Sequence, residues 1–146
     1  MKRENQFTYK NGKLHSHNDL PAIVYSNGVK CWYKDSMLHR DNDLPAIETL
    51  DGSKKWYVND QLHRDNGPAI DYSDGTKAWY KNDKRHRDDG PAIEYSDGTK
   101  SYFLEGIRLE EEEYCKILKE IDDLPLEIKL THEKEWVRDR AKKTSK

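Results

Sequence analysis

One block of 23 or 24 residues is written four times in this 146-residue chain, and this repetition constrains the fold more than any single residue. Copies one and two contain Asp-Leu-Pro where copies three and four contain Gly-Pro, which explains the one-residue difference in length. A fixed period of this size is typical of one supersecondary unit stacked on copies of itself. We therefore expect the function on a repeated surface, not in one pocket. The residues that keep step are Trp32, Trp56, Trp79 and Tyr102; His15, His39, His63 and His86; and Pro21, Pro45, Pro68 and Pro91.

Each copy carries an Asn-Gly or Asp-Gly pair between two short runs of alternating polarity. Such a pair predicts a β-hairpin with a type I′ turn, which needs positive φ at both central residues. The polar stretch between successive hairpins, such as residues 82–91, is interpreted as a connector rich in turn formers. The four predicted turns are Asn27-Gly28, Asp51-Gly52, Asp74-Gly75 and Asp97-Gly98.

Adjacent aromatic residues define the two faces of the predicted sheet. Trp79 and Tyr80 are neighbours, so their side chains point to opposite faces of a strand. We expect the tryptophans to lie in the packed face together with the isoleucines, and the tyrosines to be partly exposed. The sequence therefore predicts a mainly β fold: an elongated, single-layer antiparallel β-hairpin repeat array over residues 1–106, with a small α-helical cap and a basic tail over residues 107–146.

The C-terminal part is predicted to be helical. Apolar residues at the spacing of one helical face follow a run of glutamates that suits a helix N-terminus, and Asp122, Asp123 and Pro125 end the pattern. The helix is interpreted as a cap over the last strand edge, with a partner-binding acidic helix as the alternative. Thr131 is expected to start a second short helix with Trp136 and Val137, and the tail 138–146 is expected to fray. The apolar face is Tyr114, Ile117, Leu118 and Ile121.

The composition narrows the function classes. With 37% charged residues, a net charge near -2 and a mean hydropathy of -1.18, the chain has no basic field for nucleic acid or anionic membranes. There is no apolar run near 18 residues and no signal-peptide pattern, so a cytoplasmic location is expected. Cys31 and Cys115 do not recur with the repeat and are interpreted as reduced, buried thiols.

The best-preserved unit resembles the MORN repeat. The resemblance covers roughly residues 7–106 and departs from the family pattern at Arg87, which follows His86 in place of glycine, and at the added Pro91-Ala92-Ile93. It is similar to degenerate MORN-like arrays with H-R-x-x-G-P-A units of phage, bacterial and large-virus proteins. The resemblance implies a ribbon of β-hairpins that acts as a scaffold, a dimerisation device or a lipid-headgroup binder. The matching residues are Trp79, Asn82, Lys84, His86, Gly90, Tyr95, Asp97, Gly98 and Tyr102.

The recurring His-Arg-Asp triplets are the first candidates for chemistry. Equivalent histidines on successive hairpins are expected roughly 10 Å apart, from the spacing of strands, so they cannot share a zinc ion. No Ser or Cys recurs beside them, and a ribbon offers no deep cleft for general base catalysis. We therefore expect no enzyme activity, no metal and no cofactor. The structural interpretation is that His and Asp cap backbone groups while Arg pairs with a nearby acid.

Binding is the function that repetition favours. Exposed Tyr, His and Arg at regular intervals offer many weak contacts, and a single sheet leaves aromatic surface for a partner. We predict a non-enzymatic protein–protein interaction module or scaffold with a protein partner, a homodimer being a further expectation; the phage resemblance adds inhibition of a host defence protein. The alternatives are a phospholipid or membrane-surface binder and an acidic nucleic-acid mimic, while direct nucleic-acid binding is not expected. The predicted partner-binding residues are Tyr33, Tyr57, Tyr80, His39, Arg40, His63, Arg64, His86 and Arg87.

Overall fold

The computed structural model describes residues 4–144, and this part of the chain forms a ten-stranded antiparallel sheet, four two-stranded sheets and three C-terminal α-helices. The predicted fold class, a mainly β array of hairpins with a small helical region at its end, is confirmed. The helices are Glu111–Asp122 (α1), Leu126–Thr131 (α2) and Glu133–Thr144 (α3). The strands are Gln6–Phe7 (β1), Tyr9–Lys10 (β2), Lys13–Leu14 (β3), Ile23–Val24 (β4), Lys30–Cys31 (β5), Tyr33–Lys34 (β6), Met37–Leu38 (β7), Ile47–Glu48 (β8), Lys54–Lys55 (β9), Tyr57–Val58 (β10), Gln61–Leu62 (β11), Ile70–Asp71 (β12), Lys77–Ala78 (β13), Tyr80–Lys81 (β14), Lys84–Arg85 (β15), Ile93–Glu94 (β16), Lys100–Leu104 (β17) and Ile107–Leu109 (β18).

Each repeat forms two hairpins, which lie in two parallel rows. The first row is the ten-stranded sheet, in the order β1-β4-β5-β8-β9-β12-β13-β16-β17-β18. The second row consists of the two-stranded hairpins β2–β3, β6–β7, β10–β11 and β14–β15. Strand β17 is longer because it pairs with β16 through Lys100 and Ser101 and with β18 through Tyr102 to Leu104. The array therefore grows by one hairpin of each row per repeat.

The turns at the Asp-Gly pairs differ from the type I′ geometry that the sequence predicted. Gly52 has φ 91°, whereas Asp51 is absent from the residues with positive φ. The Gly52 amide donates to the Thr49 carbonyl at 3.1 Å, and the Thr49 amide donates to the Ser53 carbonyl at 3.0 Å. A four-residue turn that ends in a left-handed glycine is the three-residue hairpin loop with a G1 bulge. The type I′ prediction is therefore wrong at these positions.

Positive φ at two consecutive residues occurs instead in the stretch interpreted as a connector. Asn59 and Asp60 have φ of 48° and 67°, and Asn82 and Asp83 have φ of 48° and 65°. Asn and Asp tolerate the left-handed region because their short polar side chains bond to nearby backbone. The connector interpretation is wrong for this half of the segment, which is the tight turn of the second hairpin.

Two of the three repeat tryptophans are buried, but they do not lie with the isoleucines as the sequence predicted. Trp32 and Trp56 are 4% and 7% exposed, and the Trp56 amide donates to the carbonyl of the fully buried Ala69 at 2.8 Å. The isoleucines cluster with tyrosines, because Tyr57 and Tyr80 pack against the group that contains Ile70 and Ile93. Isoleucine and tyrosine thus share one apolar cluster, and the prediction that tryptophan lies with isoleucine is wrong.

The helices pack on the last hairpin, as the cap interpretation requires. Helix α1 buries the predicted Tyr114 and Ile117 against Leu104 and Leu109 of that hairpin, together with Val137 from α3. Helix α3 continues to Thr144, so the prediction of a frayed tail is wrong over the described residues, and residues 145 and 146 lie outside them. The α2 helix has no counterpart in the prediction, since its six residues show no clear periodicity.

Electrostatic contacts explain why the basic tail is ordered. Arg140 donates to both carboxylate oxygens of Glu120, at 2.6 and 2.9 Å, and lies 3.1 Å from a carboxylate oxygen of Glu113. The acidic α1 and the basic α3 therefore attract each other. Of the two thiols, Cys31 is buried as predicted and its pKa is raised by desolvation, whereas Cys115 is exposed, which corrects the prediction.

None of the helices within residues 4–144 is both long enough and apolar enough to span a bilayer.

Substituting Trp56 by alanine should destabilise the array. Trp56 is 7% exposed, so removal of its indole leaves a cavity in the array. We expect the free energy of unfolding to fall by about 3–5 kcal/mol, measured by urea denaturation. Val58→Ala, at a side chain that is 40% exposed, is the control and should leave the midpoint almost unchanged. Equal shifts for the two variants would contradict the assignment of Trp56 to the core.

Candidate binding surfaces of the array

An arginine stacks on the tryptophan of each inner repeat. The guanidinium carbon of Arg40 lies 3.8 Å from the Trp32 ring centroid, that of Arg64 lies 4.0 Å from Trp56, and that of Arg87 lies 3.9 Å from Trp79. The arginine side chains are only 11–19% exposed. A cation over an indole face at this distance is attracted by the ring quadrupole, more strongly as water is excluded.

Two of these arginines also reach an aspartate of the preceding repeat. Arg40 donates to both carboxylate oxygens of Asp19 at 2.9 Å, and Arg64 donates to both of Asp43 at 2.8 and 2.9 Å. The guanidinium hydrogen bonds lower the pKa of both aspartates. The Trp32 indole N–H donates to the carbonyl of Asp19 at 2.9 Å, and the Trp56 indole to that of Asp43 at the same distance. One aspartate therefore binds both members of the next stack.

The junction between copies three and four is built differently. Copy three contains Gly67-Pro68 and lacks the aspartate, so Arg87 pairs with Asp89 at 2.6 Å and Glu94 at 2.8 Å within its own repeat. The change from Asp-Leu-Pro to Gly-Pro in the sequence thus replaces an ion pair between repeats by ion pairs within one repeat. Trp79 is accordingly only half-buried.

The recurring histidines link each repeat to the turn of the next. The His39 Nδ1 atom accepts the Asn59 amide at 3.2 Å, His63 accepts that of Asn82 at 3.2 Å, and His86 accepts that of Glu105 at 3.1 Å. An Nδ1 acceptor requires the neutral tautomer with its proton on Nε2, as assigned from these hydrogen bonds. The histidines therefore cap backbone groups. Within residues 4–144 no group of three or more His, Cys, Asp or Glu side chains could hold a metal ion.

The predicted histidines and arginines are held by polar contacts within the chain, whereas the predicted tyrosines are half-buried. His39, His63 and His86 cap backbone amides, and Arg40, Arg64 and Arg87 are stacked and ion-paired inside the chain. Tyr33, Tyr57 and Tyr80 are half-buried, the last two against the isoleucine cluster. Burial raises the pKa of Tyr33 and Tyr57. Their role in binding a partner stays a prediction.

Tyr72 and Tyr95 are exposed aromatic residues of the two best-preserved copies, and the set of predicted site residues omitted them. They are 41% and 42% exposed and occupy equivalent positions of copies three and four. Each lies two residues after a buried isoleucine, so period two places the tyrosine on the isoleucine face; this alternation is the signal that could have identified them. They border a shallow groove of about 320 Å³, named here the tyrosine groove, whose lining is Tyr72, Asp74, Thr76, Ala78, Tyr80, Arg85, Ile93 and Tyr95.

The floor of the tyrosine groove is set by strand register. Ala78 lies opposite Ile70 on one side and Ile93 on the other, so a small side chain occupies the middle of the row. One repeat earlier, Lys55 holds the position of Ala78, opposite Ile47 and Ile70. The groove of copies three and four therefore has an alanine at the position where the preceding repeat has a lysine.

The tyrosine groove has a cation at one end. Arg85 Nε donates to the Tyr80 hydroxyl at 3.0 Å, and its guanidinium carbon lies 5.3 Å from the Phe103 ring centroid. No Asp or Glu among residues 4–144 forms an ion pair with Arg85, in contrast to the stacked arginines of the other surface.

A second, polar groove of about 560 Å³ lies between the end of the array and helices α2 and α3. His86 and Glu105 line it and are 10% and 11% exposed, with 3.2 Å between the His86 Nδ1 and a Glu105 carboxylate oxygen. Desolvation lowers the pKa of His86, against the opposing attraction of Glu105 and Asp88 and with the help of Lys81 and Lys134.

Comparisons with protein-family models, with curated proteins and with solved structures found no match to this chain.

Removing the His63 acceptor should weaken the link between copies three and four. His63→Ala leaves the Asn82 amide without its protein acceptor, and we expect a loss of about 1 kcal/mol in the free energy of unfolding. His63→Asn retains a side-chain acceptor and should recover part of the loss. Urea denaturation of the three proteins measures the difference. Identical stability of His63→Ala and the parent protein would show that the hydrogen bond contributes nothing.

Acidification should destabilise the protein partly through His86. Because its folded-state pKa lies below the unfolded value of about 6.5, the unfolded state binds the proton more readily, and stability falls as pH decreases from that value towards the folded pKa. The measurement is the unfolding free energy between pH 7.5 and about 5, above the range in which carboxylates protonate. His86→Asn cannot titrate there and should show a smaller decrease. An equal or larger decrease in the variant would contradict the prediction that protonation of His86 destabilises the protein.

Proposed function

We propose that this chain is a non-enzymatic protein–protein interaction module in which a MORN-like hairpin array serves as the scaffold. The observation that carries the proposal is the pair of exposed tyrosines, Tyr72 and Tyr95, on the face where Tyr80 is half-buried. Tyrosine supplies a large, rigid contact area with a polar tip and is enriched at protein interfaces. The helices pack on β17 and β18 and so leave this part of the sheet open to a partner.

The state of the other polar residues favours binding over catalysis. The recurring His and Arg side chains are held by hydrogen bonds, ion pairs and stacking, so they have little freedom to exchange protons with a substrate. The tyrosine groove contains one arginine, one aspartate and one threonine as its non-tyrosine polar residues, without a histidine or cysteine. A general base next to a nucleophile is the arrangement that acyl or phosphoryl transfer would need.

The charge of the open face favours a protein over a lipid surface or a nucleic acid. Binding to an anionic membrane or a phosphate backbone depends on several clustered cations. Arg85 is the one cationic residue in the lining of the tyrosine groove, and Asp74 in the same lining carries the opposite charge. The resemblance to repeats of phage proteins makes a host protein, which this chain would inhibit, the candidate partner.

Replacing Tyr72 and Tyr95 together by serine should abolish capture of the partner. The tagged full-length protein serves as bait in nuclease-treated lysate, and mass spectrometry quantifies the captured proteins. Leu50→Ser is the matched control, because Leu50 is 82% exposed and lies in an Asp-Gly turn outside the groove. We expect one stoichiometric protein with the parent and with Leu50→Ser, lost with the double variant.

Circular dichroism must show that all three baits are folded. Equal capture by the double variant, or no stoichiometric protein on the folded parent bait, would overturn the proposal.

A further inference from the structure

We propose that the tyrosine groove binds a proline-rich peptide segment in the polyproline II conformation, with an acidic residue of that segment at Arg85. The inference rests on the proposed function and names the chemistry of the partner. Four features of the groove carry it: its period, its aromatic walls, its unpaired cation and its small floor residues.

The period of the groove matches that of a polyproline II helix. Tyr72 and Tyr95 are equivalent residues of neighbouring repeats, and strands β12, β13 and β16 are consecutive in the sheet, so the tyrosines are two strand spacings apart. Two spacings amount to about 9.6 Å. A polyproline II helix has three residues per turn and a rise of 3.1 Å, so side chains i and i+3 recur on one side every ~9.3 Å. A polyproline II segment that lies across the strands therefore places one pair of its residues against the tyrosine of each repeat.

The walls of the groove suit prolines. Flat tyrosine rings pack against pyrrolidine rings, and the polyproline II conformation costs little entropy to bind because it is already populated in the free peptide. Its carbonyl groups have no internal hydrogen bonds. The Tyr72 and Tyr95 hydroxyls make no hydrogen bond to other residues within 4–144, and they can donate to those carbonyls.

The charge of Arg85 selects an acidic residue next to the prolines. Its Nε is fixed by the Tyr80 hydroxyl at 3.0 Å, which orients the guanidinium at the edge of the groove and leaves its other N–H donors for a carboxylate. A carboxylate can accept two parallel hydrogen bonds from a guanidinium. Because the cation lies at one end of the groove, the charge pair also fixes the direction of the peptide.

The floor residues define how many proline pairs fit. The residues opposite the isoleucines are Cys31, Lys55, Ala78 and Ser101 along the array. Ala78 is small and lies on the strand between those that lead to Tyr72 and Tyr95, whereas Lys55 is long and half-buried at the equivalent position one repeat earlier. The groove therefore accepts a short segment over copies three and four and excludes its continuation over copy two.

The other common modes of peptide binding fit this surface less well. An added strand pairs with the exposed edge of a sheet, but the tyrosine groove lies on a face whose strands are paired on both sides. An amphipathic helix is about 10 Å wide and buries anchors at i, i+3, i+4 and i+7 in a deep apolar groove. The tyrosine groove is shallow and has ridges at the spacing of single repeats.

The test is fluorescence polarisation of the full-length protein with a labelled peptide Glu-(Pro-Pro-Ala)3, and with the same peptide carrying Gln for Glu. The protein should bind the Glu peptide saturably, and Ala78→Lys should weaken binding at least tenfold because the lysine fills the floor. This substitution copies the residue that the preceding repeat already carries at Lys55, so the variant should fold. Arg85→Gln should weaken binding of the Glu peptide about fivefold, as for a partly exposed charge pair, and leave the Gln peptide unaffected.

A variant that should bind more tightly distinguishes a specific effect from a loss of binding through misfolding. Lys55→Ala combined with Thr49→Tyr should open a further slot with a tyrosine wall, because Thr49 holds the position of Tyr72 in copy two. Glu-(Pro-Pro-Ala)5 should then bind more tightly to this double variant than to the parent, while the shorter peptide binds equally. Leu50→Ser is the surface control and should behave as the parent, and a thermal melt must show that each variant is folded. Binding that is unaffected by Ala78→Lys, or equal binding of a Glu-(Gly-Ser-Ala)3 peptide, would overturn the inference.

The same experiments separate this inference from the proposed function. If lysate capture depends on Tyr72 and Tyr95 but no proline-rich peptide binds, the interaction module survives and the polyproline inference is overturned. If neither capture nor peptide binding depends on the tyrosines, both are overturned. If the peptide competes with the captured protein for the parent bait, both are supported.

Discussion

An arginine that stacks on the tryptophan of its own repeat and binds an aspartate of the preceding one is the contact that joins copy one to copy two and copy two to copy three. Arg40 and Arg64 each form this bridge with two parallel hydrogen bonds, at 2.8 to 2.9 Å. A repeat array is stabilised by its own units and by the interfaces between neighbours. Neighbouring repeats are also joined by the ten-stranded sheet, by the histidine hydrogen bonds and, in copies three and four, by the apolar cluster that contains Ile70 and Ile93.

The two ends of the array show how this contact is terminated. In copy one, Thr8 and Ser16 replace the tryptophan and the arginine, and the equivalent stack is not formed there. At the other end, Tyr102 takes the tryptophan position, and the ring of Tyr114 from α1 lies 4.9 Å from it. The Tyr114 hydroxyl accepts the Gly90 amide at 3.0 Å and donates to the Arg87 carbonyl at 2.7 Å. Helix α1 of the cap therefore gives the last repeat, through Tyr114, a ring contact and two hydrogen bonds at the end of the array.

The recurring arginines and histidines form their contacts within the chain, and this limits where the array can bind a partner. On the surface of the stacks, charged groups are neutralised within the chain, so they add rigidity and little attraction for a partner. On the isoleucine face, the Tyr72 and Tyr95 hydroxyls make no hydrogen bond within residues 4–144, and Arg85 forms no ion pair there. The proposed binding function and the proposed polyproline specificity both rest on this division, in which the polar groups of one surface are paired within the chain and those of Tyr72, Tyr95 and Arg85 can meet a partner.

The sequence by itself determined the repeat, the hairpin architecture and helix α1, because a fixed period and a helical apolar face are local patterns that need no tertiary information. It also indicated the capping role of His63 and the pairing of Arg64. The sequence did not reveal that Asn59-Asp60 forms a second tight turn, since propensity alone does not distinguish a turn from a connector. Only the tertiary structure decided which aromatic residue lies with isoleucine, that Arg140 orders the basic tail, and that Ala78 opens a groove between Tyr72 and Tyr95. These outcomes depend on strand register and on contacts between distant residues, which period and composition do not encode.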